Sequence, residues 1–282
     1  MKEIYEFRIP EESAARWLRD DEGVRLSGGF VRKLTLASNS PRMLRVAEAH
    51  RHMHAEGRAF YLGWGIDRTY TSEEIDAADL FVMKIRTIFE PAGEDCGTRY
   101  DEASACPICG AGSTLASDLI LECRRIPRLS AVAKTIAGEI VVSRRFRDLV
   151  ESNGVHGMTF RRVVDCRTGQ ECRDWLRLDV QDSAVDIVSP TKIGVEPFYF
   201  GNEDLGPCPN GDTVGLNVLS EVTVKLPSAA ISDIALSKQF VGSRMGLLRP
   251  ERILFVAPSF QRLLLAEKIR GASFEIARVA GS

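Results

Sequence analysis

The sequence predicts an α+β protein with mixed sheets, built as a small N-terminal α+β unit followed by a C-terminal region that carries a duplicated strand-helix-strand unit. Three observations predict this. Strand and helix signals mix irregularly through the first ninety residues, a Pro/Gly-containing stretch, PAGEDCG at 91–97, interrupts the pattern, and an internal repeat follows it. At 282 residues the chain is long enough for two domains, placed here at 1–92 and 93–282.

The N-terminal elements follow in order. IYEFRI at 4–9 suits an opening strand, and Pro10 followed by Glu11, Glu12, Ala14, Trp17 and Leu18 suits a short helix. Ser27-Gly28-Gly29 breaks the chain before FVRKLTLA, whose alternation argues a strand. Pro41 opens a stretch to Gly57 with apolar Met43, Leu44, Val46, Ala47 and Met53, most simply a helix, and AFYLGWGI reads as a buried strand with glycine interruptions. Thr71-Ser72-Glu73-Glu74 has the form of a capping box for a helix through Asp79, and LFVMKIRTIFEP is a β-rich run ended by Pro91.

The repeat aligns 139–163 with 253–277 without gaps. Val142 matches Val256, Phe146 matches Phe260, Leu149 matches Leu263, Gly157 matches Gly271 and Phe160 matches Phe274. Each copy reads as strand, helix, strand: Phe146, Leu149 and Val150 share one helical face, as do Phe260, Leu263 and Leu264, and the glycine releases the chain into a strand. One such unit cannot bury both sides of its sheet, so the copies are expected to pack together or against the strands between them, which are LRLDV, VDIV, VEPFYF and VTVKL.

Composition excludes collagenous, disordered and disulfide-stapled classes, and no stretch approaches the ~20 apolar residues of a membrane span. With no signal-type start, the expected compartment is the cytoplasm, where seven cysteines fit reduced thiols or a metal better than a disulfide framework. The net charge of −2 hides a basic segment at 124–173 and an acidic one at 174–221. These either present opposite potentials to a partner or neutralise each other in the fold.

Cys106-Pro107-Ile108-Cys109-Gly110 is the sharpest motif, because a Cys-x-x-Cys-Gly turn points two thiolates at one centre. The pair is either half of a structural zinc site or a metal-free remnant. Cys96 is a candidate third ligand, and Cys123, Cys166, Cys172 or Cys208 could complete the set through tertiary proximity; Cys166 and Cys172 could equally face each other across a hairpin. His50 and His54 share a helical face, but a zincin glutamate is missing beside them, and solvent-facing histidines are the expected reading. No nucleophile elbow, phosphate loop or dinucleotide fingerprint is found. The stretch 196–212 places Phe198 and Phe200 on one strand face and Tyr199 on the other, followed by an acidic loop with Glu203, Asp204 and Asp212. An aromatic anchor beside steering carboxylates suits a basic partner.

The single Cys-Pro-x-Cys-Gly, the two Phe-x-x-Leu helices with their Gly-x-x-Phe strands, and the spacing between them resemble the double-CxxCG motif proteins and related polymorphic-toxin immunity proteins, over about residues 94–279. The resemblance makes Cys106 and Cys109 the first cysteine pair and places the second at Cys208-Pro209-Asn210-Gly211. Gly211 stands where the second cysteine of that pair is expected, leaving Cys96 as the substitute. It implies a non-catalytic protein that binds and neutralises a cognate toxin. The competing expectations are a nucleic-acid-associated module using Arg144, Arg145, Arg147, Arg161 and Arg162, and a metal-dependent enzyme built on the histidines.

Overall fold

A computed structural model describes residues 1–26, 28–181, 184–198, 208–227 and 231–281. The chain divides into two compact units, Met1–Ala77 and Ala78–Ser282. Among the described residues no helix is long and apolar enough to cross a membrane.

The first unit contains β1 (Lys2–Pro10), α1 (Glu11–Trp17), β2 (Val24–Arg25), β3 (Val31–Ala37), α2 (Arg42–Ala55), β4 (Gly63–Thr69) and α3 (Ser72–Asp76), with sheet order β2-β3-β1-β4. Alternation puts Phe7 and Ile9 of β1 inward beside Leu34 and Leu36 of β3, all buried. Val46, Ala49, His50 and Met53 form the buried stripe of α2. The Thr71 capping box is complete, its hydroxyl accepting from Glu74 N while the Glu74 side chain accepts from Thr71 N. The fourth strand starts later than AFYLGWGI suggests, because Phe60 and Tyr61 bury their rings ahead of it. Arg32, only 1% exposed, donates through Nε to Glu11 Oε2 at 3.0 Å, through Nη2 to Glu11 Oε1, and through Nη1 to Arg19 O at 2.7 Å. That guanidinium ties the start of α1 to β3.

The second unit begins with β5 (Leu80–Ile85), β6 (Ile88–Phe89), β7 (Tyr100–Asp101), β8 (Thr114–Leu115), β9 (Leu119–Leu121), β10 (Val132–Thr135), β11 (Ile140–Ser143), α4 (Arg144–Ser152), β12 (Met158–Asp165) and β13 (Glu171–Val180). It continues with β14 (Asp186–Val188), β15 (Ile193–Gly194), β16 (Asn217–Val218), β17 (Thr223–Lys225), β18 (Ile234–Val241), β19 (Glu251–Val256), α5 (Pro258–Ala266) and β20 (Ala272–Val279). Two six-stranded mixed sheets dominate, ordered β6-β10-β11-β13-β12-β9 and β14-β17-β20-β5-β19-β18. The α+β expectation holds, with both copies of the strand-helix-strand unit at the expected places.

The two sheets are versions of one another. Strand β12 aligns Met158 with Val180 of β13, and β20 aligns Ala272 with Ile85 of β5; β11 aligns Val142 with Leu176, and β19 aligns Val256 with Phe81. Strand β5 therefore occupies in the second sheet the central place that β13 holds in the first. Parallel strands β9 and β17 flank β12 and β20 in the same way. This moves the boundary from the expected 92/93 to 77/78: the apolar run 80–91 splits, β5 entering the second sheet and β6 the first.

The copies also touch reciprocally. The rings of Phe146 and Phe260, equivalent residues on α4 and α5, lie 6.2 Å apart at 66°. Gly157 has φ of +104° and a Cβ there would meet Ile234 O at 2.4 Å; Gly271 has φ of +108° and a Cβ would meet Val132 O at 1.9 Å. Each glycine thus lets the start of its strand approach the backbone of the strand paired with the other copy's first strand, β18 beside β19 and β10 beside β11. Of the expected strand VEPFYF, the described residues 195–198 are bend and turn, so Phe198 lies in a turn, and Tyr199 and Phe200 fall outside the described residues.

Two predictions follow from this packing. Phe146→Ala and Phe260→Ala, both at nearly fully buried rings, are each expected to cost about 3–5 kcal/mol. The double variant should fall short of additivity by about 0.5–1.5 kcal/mol, the worth of the ring pair, measured by urea unfolding. In the first unit, Arg32 holds the Glu11 carboxyl down to about 2. The folded value lies below the unfolded one, so the pair's contribution is present above the ordinary carboxylate range and is lost as pH falls toward 2. Glu11→Gln should lower the unfolding temperature at neutral pH and flatten its acid limb, followed through Trp17 and Trp64.

Candidate metal centre

The site is built from two turns. In the first, Cys106 N donates to Ala111 O at 2.7 Å and Gly110 N to Cys106 O at 2.8 Å, while the Cys109 and Ile108 amides point at the Cys106 sulfur. Those amides, Cys109 first, lower the Cys106 thiol pKa. Gly110 sits at φ +76° with the side chain of Arg244 so close that a Cβ would meet it at 2.6 Å. In the second turn, Cys208 N donates to Thr213 O at 2.9 Å and Gly211 N to Cys208 O at 2.7 Å. The hydrogen bond from cysteine N–H to the carbonyl five residues on is the same in both turns.

The turns meet. Cys106 and Cys208 sulfurs are 3.5 Å apart, and Asn210 Nδ2 donates to Cys106 Sγ at 3.3 Å. The sulfurs of Cys106, Cys109 and Cys208 and a carboxylate oxygen of Asp212 all lie within 4.8 Å of one another. The three cysteines are buried and Asp212 is half-buried. Burial pushes the Cys109 thiol up to about 11, so this thiol holds its proton until a cation takes its place. Three sulfurs and one carboxylate form a donor set for a divalent metal.

The hairpin between β18 and β19 holds the site from the second copy. Arg244 N donates to Cys109 O at 2.8 Å, and Phe240 packs against the cysteines while its N–H reaches Asp212 O at 3.0 Å. The Arg249 guanidinium stacks 3.6 Å from the Tyr100 ring centre and reaches Glu94 at 2.9 Å, Glu102 at 2.8 Å and Ser113 at 2.7 Å. Arg244 binds the same two glutamates. Both carboxylates lie just before the first turn in sequence, so two arginines fasten the approach to that turn to the β18–β19 hairpin.

Of the expected ligands, Cys106, Cys109 and Cys208 come together and Cys96 does not. Cys96 faces Cys166 instead, its thiol pushed up to about 11 by burial and then by that neighbour. Cys172 is disulfide-bonded to Cys123, with Cα atoms 6.3 Å apart, so the chain carries one disulfide and Cys166 does not face Cys172 as a pair. Asp212, expected on a partner surface, turns into the cysteine group. Tyr199, Glu203 and Asp204 lie outside the described residues. His50 is buried, not solvent-facing, and stacks on Tyr61 at 4.8 Å between ring centres, while His54 is exposed. Arg161 and Arg162 reach Asp179 and Asp118, and Arg144 reaches Glu171, so much of the basic segment is neutralised locally. Sequence reasoning missed Asp212 as a ligand and the Arg244 and Arg249 fastening. The signal for Asp212 is its place directly after the glycine that replaces the fourth cysteine.

No model of a known protein family matches the chain, and no curated protein does.

Arg249→Met, which keeps the volume and removes the charge, leaves Glu94 and Glu102 short of a partner. A loss of about 2–3 kcal/mol is expected, below the ~3–5 of a fully buried pair because Glu102 is partly solvated, read by urea unfolding.

Proposed function

We propose that the chain is a non-catalytic, cytoplasmic immunity-type protein that binds and neutralises a cognate toxin, and that Cys106, Cys109, Cys208 and Asp212 hold a structural zinc ion. The observation that carries the zinc reading is a four-donor set of three buried cysteines and a half-buried aspartate. Structural zinc sites fill all four positions from the protein, whereas catalytic ones leave one open. A tetrahedral zinc with Zn–S bonds of ~2.3 Å sets sulfur–sulfur edges of about 3.8 Å, and the 3.5 Å between Cys106 and Cys208 fits that scale. When bound, the ion would join the two turns and add binding free energy to folding.

The binding role is supported by the resemblance to the double-CxxCG and immunity proteins, by the duplicated scaffold, and by the lack of a nucleophile or phosphate-loop motif in the sequence. The acidic loop with Tyr199, Glu203 and Asp204 remains the proposed contact for a basic toxin; Asp212 is reassigned to the metal.

Metal analysis of purified protein should return one zinc per chain. Cys208→Ser and Asp212→Ala are expected to lose most of it and Cys96→Ser to keep it; retention in Cys208→Ser would overturn the ligand set. For the toxin, the reading frame beside this gene is expressed alone and together with the chain. Growth arrest relieved by co-expression is expected, with relief weakened when Glu203 and Asp204 are both reversed to Lys. A neighbour without toxicity, or toxicity that the chain does not relieve, counts against the immunity reading.

A further inference from the structure

The second unit carries an open cleft of about 530 Å³ lined from both of its six-stranded sheets. Its size lies in the range of small-molecule sites. The charge on its walls does not cancel. Arg161 and Arg177 donate through Nε to one carboxylate, Asp179, at 2.5 and 2.6 Å, so two guanidiniums share a single negative charge. Glu251 is matched by Lys134 at 2.5 Å. Arg249 and Arg244 are matched by Glu94 and Glu102.

Arg252 is left over. Its guanidinium carbon sits 4.5 Å from the centre of the Phe240 ring, its Nε is buried without a hydrogen-bond partner, and it makes no ion pair among the described residues. A guanidinium stays protonated at any physiological pH, and Arg252, half-buried with its Nε shut off from water, brings an unpaired positive charge to the cleft wall that an anion would complete. Glu139, also on the wall, does not oppose an anion strongly. Its carboxyl accepts from Tyr100 OH at 2.7 Å, from Gly93 N at 3.1 Å and from Thr135 Oγ1, and burial raises its pKa toward the neutral form. With Glu139 neutral the walls carry a surplus of two positive charges, and with it ionised, one. Leu236, Leu254 and the Phe240 ring supply apolar wall beside the guanidinium.

We propose that this cleft binds a small organic anion, its phosphate or carboxylate group received by Arg252 with Arg161 and Arg177 alongside, and its apolar body against Leu236, Phe240 and Leu254. The unpaired charge selects the sign of the ligand, and the fork of donors favours a planar or tetrahedral oxyanion. This site is separate from the toxin-binding reading and does not depend on it.

The test is calorimetric titration of the full chain with inorganic phosphate and, in a second arm, with succinate, ionic strength held constant with chloride. Saturable binding of one probe is expected, and which arm responds tells phosphate from carboxylate. Arg252→Gln should weaken that binding at least tenfold, with zinc content unchanged so that failure of the metal centre is read separately. Arg278→Gln, whose partner Glu221 lies outside the cleft, should bind as the parent does. Should Arg252→Gln fail to fold, Arg161→Gln at the more exposed wall is expected to weaken binding several-fold. Absence of saturable binding in both arms, or equal affinity in parent and Arg252→Gln, would overturn the proposal and leave Arg252 as packing for Phe240.

Discussion

Everything in the second unit depends on the reciprocal docking of its two copies. Phe146 and Phe260 bring α4 and α5 together, and Gly157 and Gly271 let each copy press the start of its third element against the backbone of the strand paired with the other's first strand. A strand-helix-strand unit alone leaves one sheet face wet, and duplication offers each copy the same apolar surface in return. The contact is close enough at the glycines that no side chain fits, which places the sheets before any polar detail is decided. The turns at Cys106 and Cys208 and the walls of the cleft are carried on the elements so placed.

The symmetry is broken where the chemistry sits. The first turn keeps two cysteines, and the second keeps one and follows it with Gly211 and Asp212. A glycine at φ +77° reverses the chain so that the next residue, one position beyond a Cys-x-x-Cys spacing, brings a carboxylate to the sulfurs. Exchanging a thiolate for a carboxylate trades a soft donor for a harder one but leaves the donor count at four. Arg244 and Arg249 lie on the second-copy side of the same asymmetry. Both belong to a long hairpin between β18 and β19, for which the shorter connection between β10 and β11 has no counterpart.

The repeat, the helical faces and the first cysteine turn were legible because each rests on local periodicity or a fixed spacing. The strand partnership of LFVMKI was not. Its apolar run announced burial, yet only the register against β19 and β20 reveals that it completes the second sheet. Cys96 was the nearer candidate in sequence and Cys208 one that only tertiary proximity could supply, and the fold divides them: the short turn at 94–96 carries Cys96 toward Cys166, while the second turn brings Cys208 to Cys106. Asp212 read as a surface charge because carboxylates in Gly/Pro-rich loops usually are. His50 read as solvated because a polar face of α2 was assumed, and Tyr61, arriving from outside the helix, covers it.

Phe240 joins the metal centre to the cleft. Its backbone N–H holds the carbonyl of Asp212 and its ring closes one side of the cysteine cluster, while the other side of the residue's environment is the Arg252 guanidinium. A ring held between a ligand-bearing turn and a cation cannot shift without disturbing both, since packed interiors have few voids to absorb the motion. The hairpin that carries Phe240 also carries Arg244 and Arg249, so the first turn, the second turn and the cleft wall share one supporting element. The metal centre and the cleft wall therefore rest on β18, β19 and the loop between them, and not on the helices that dock the copies.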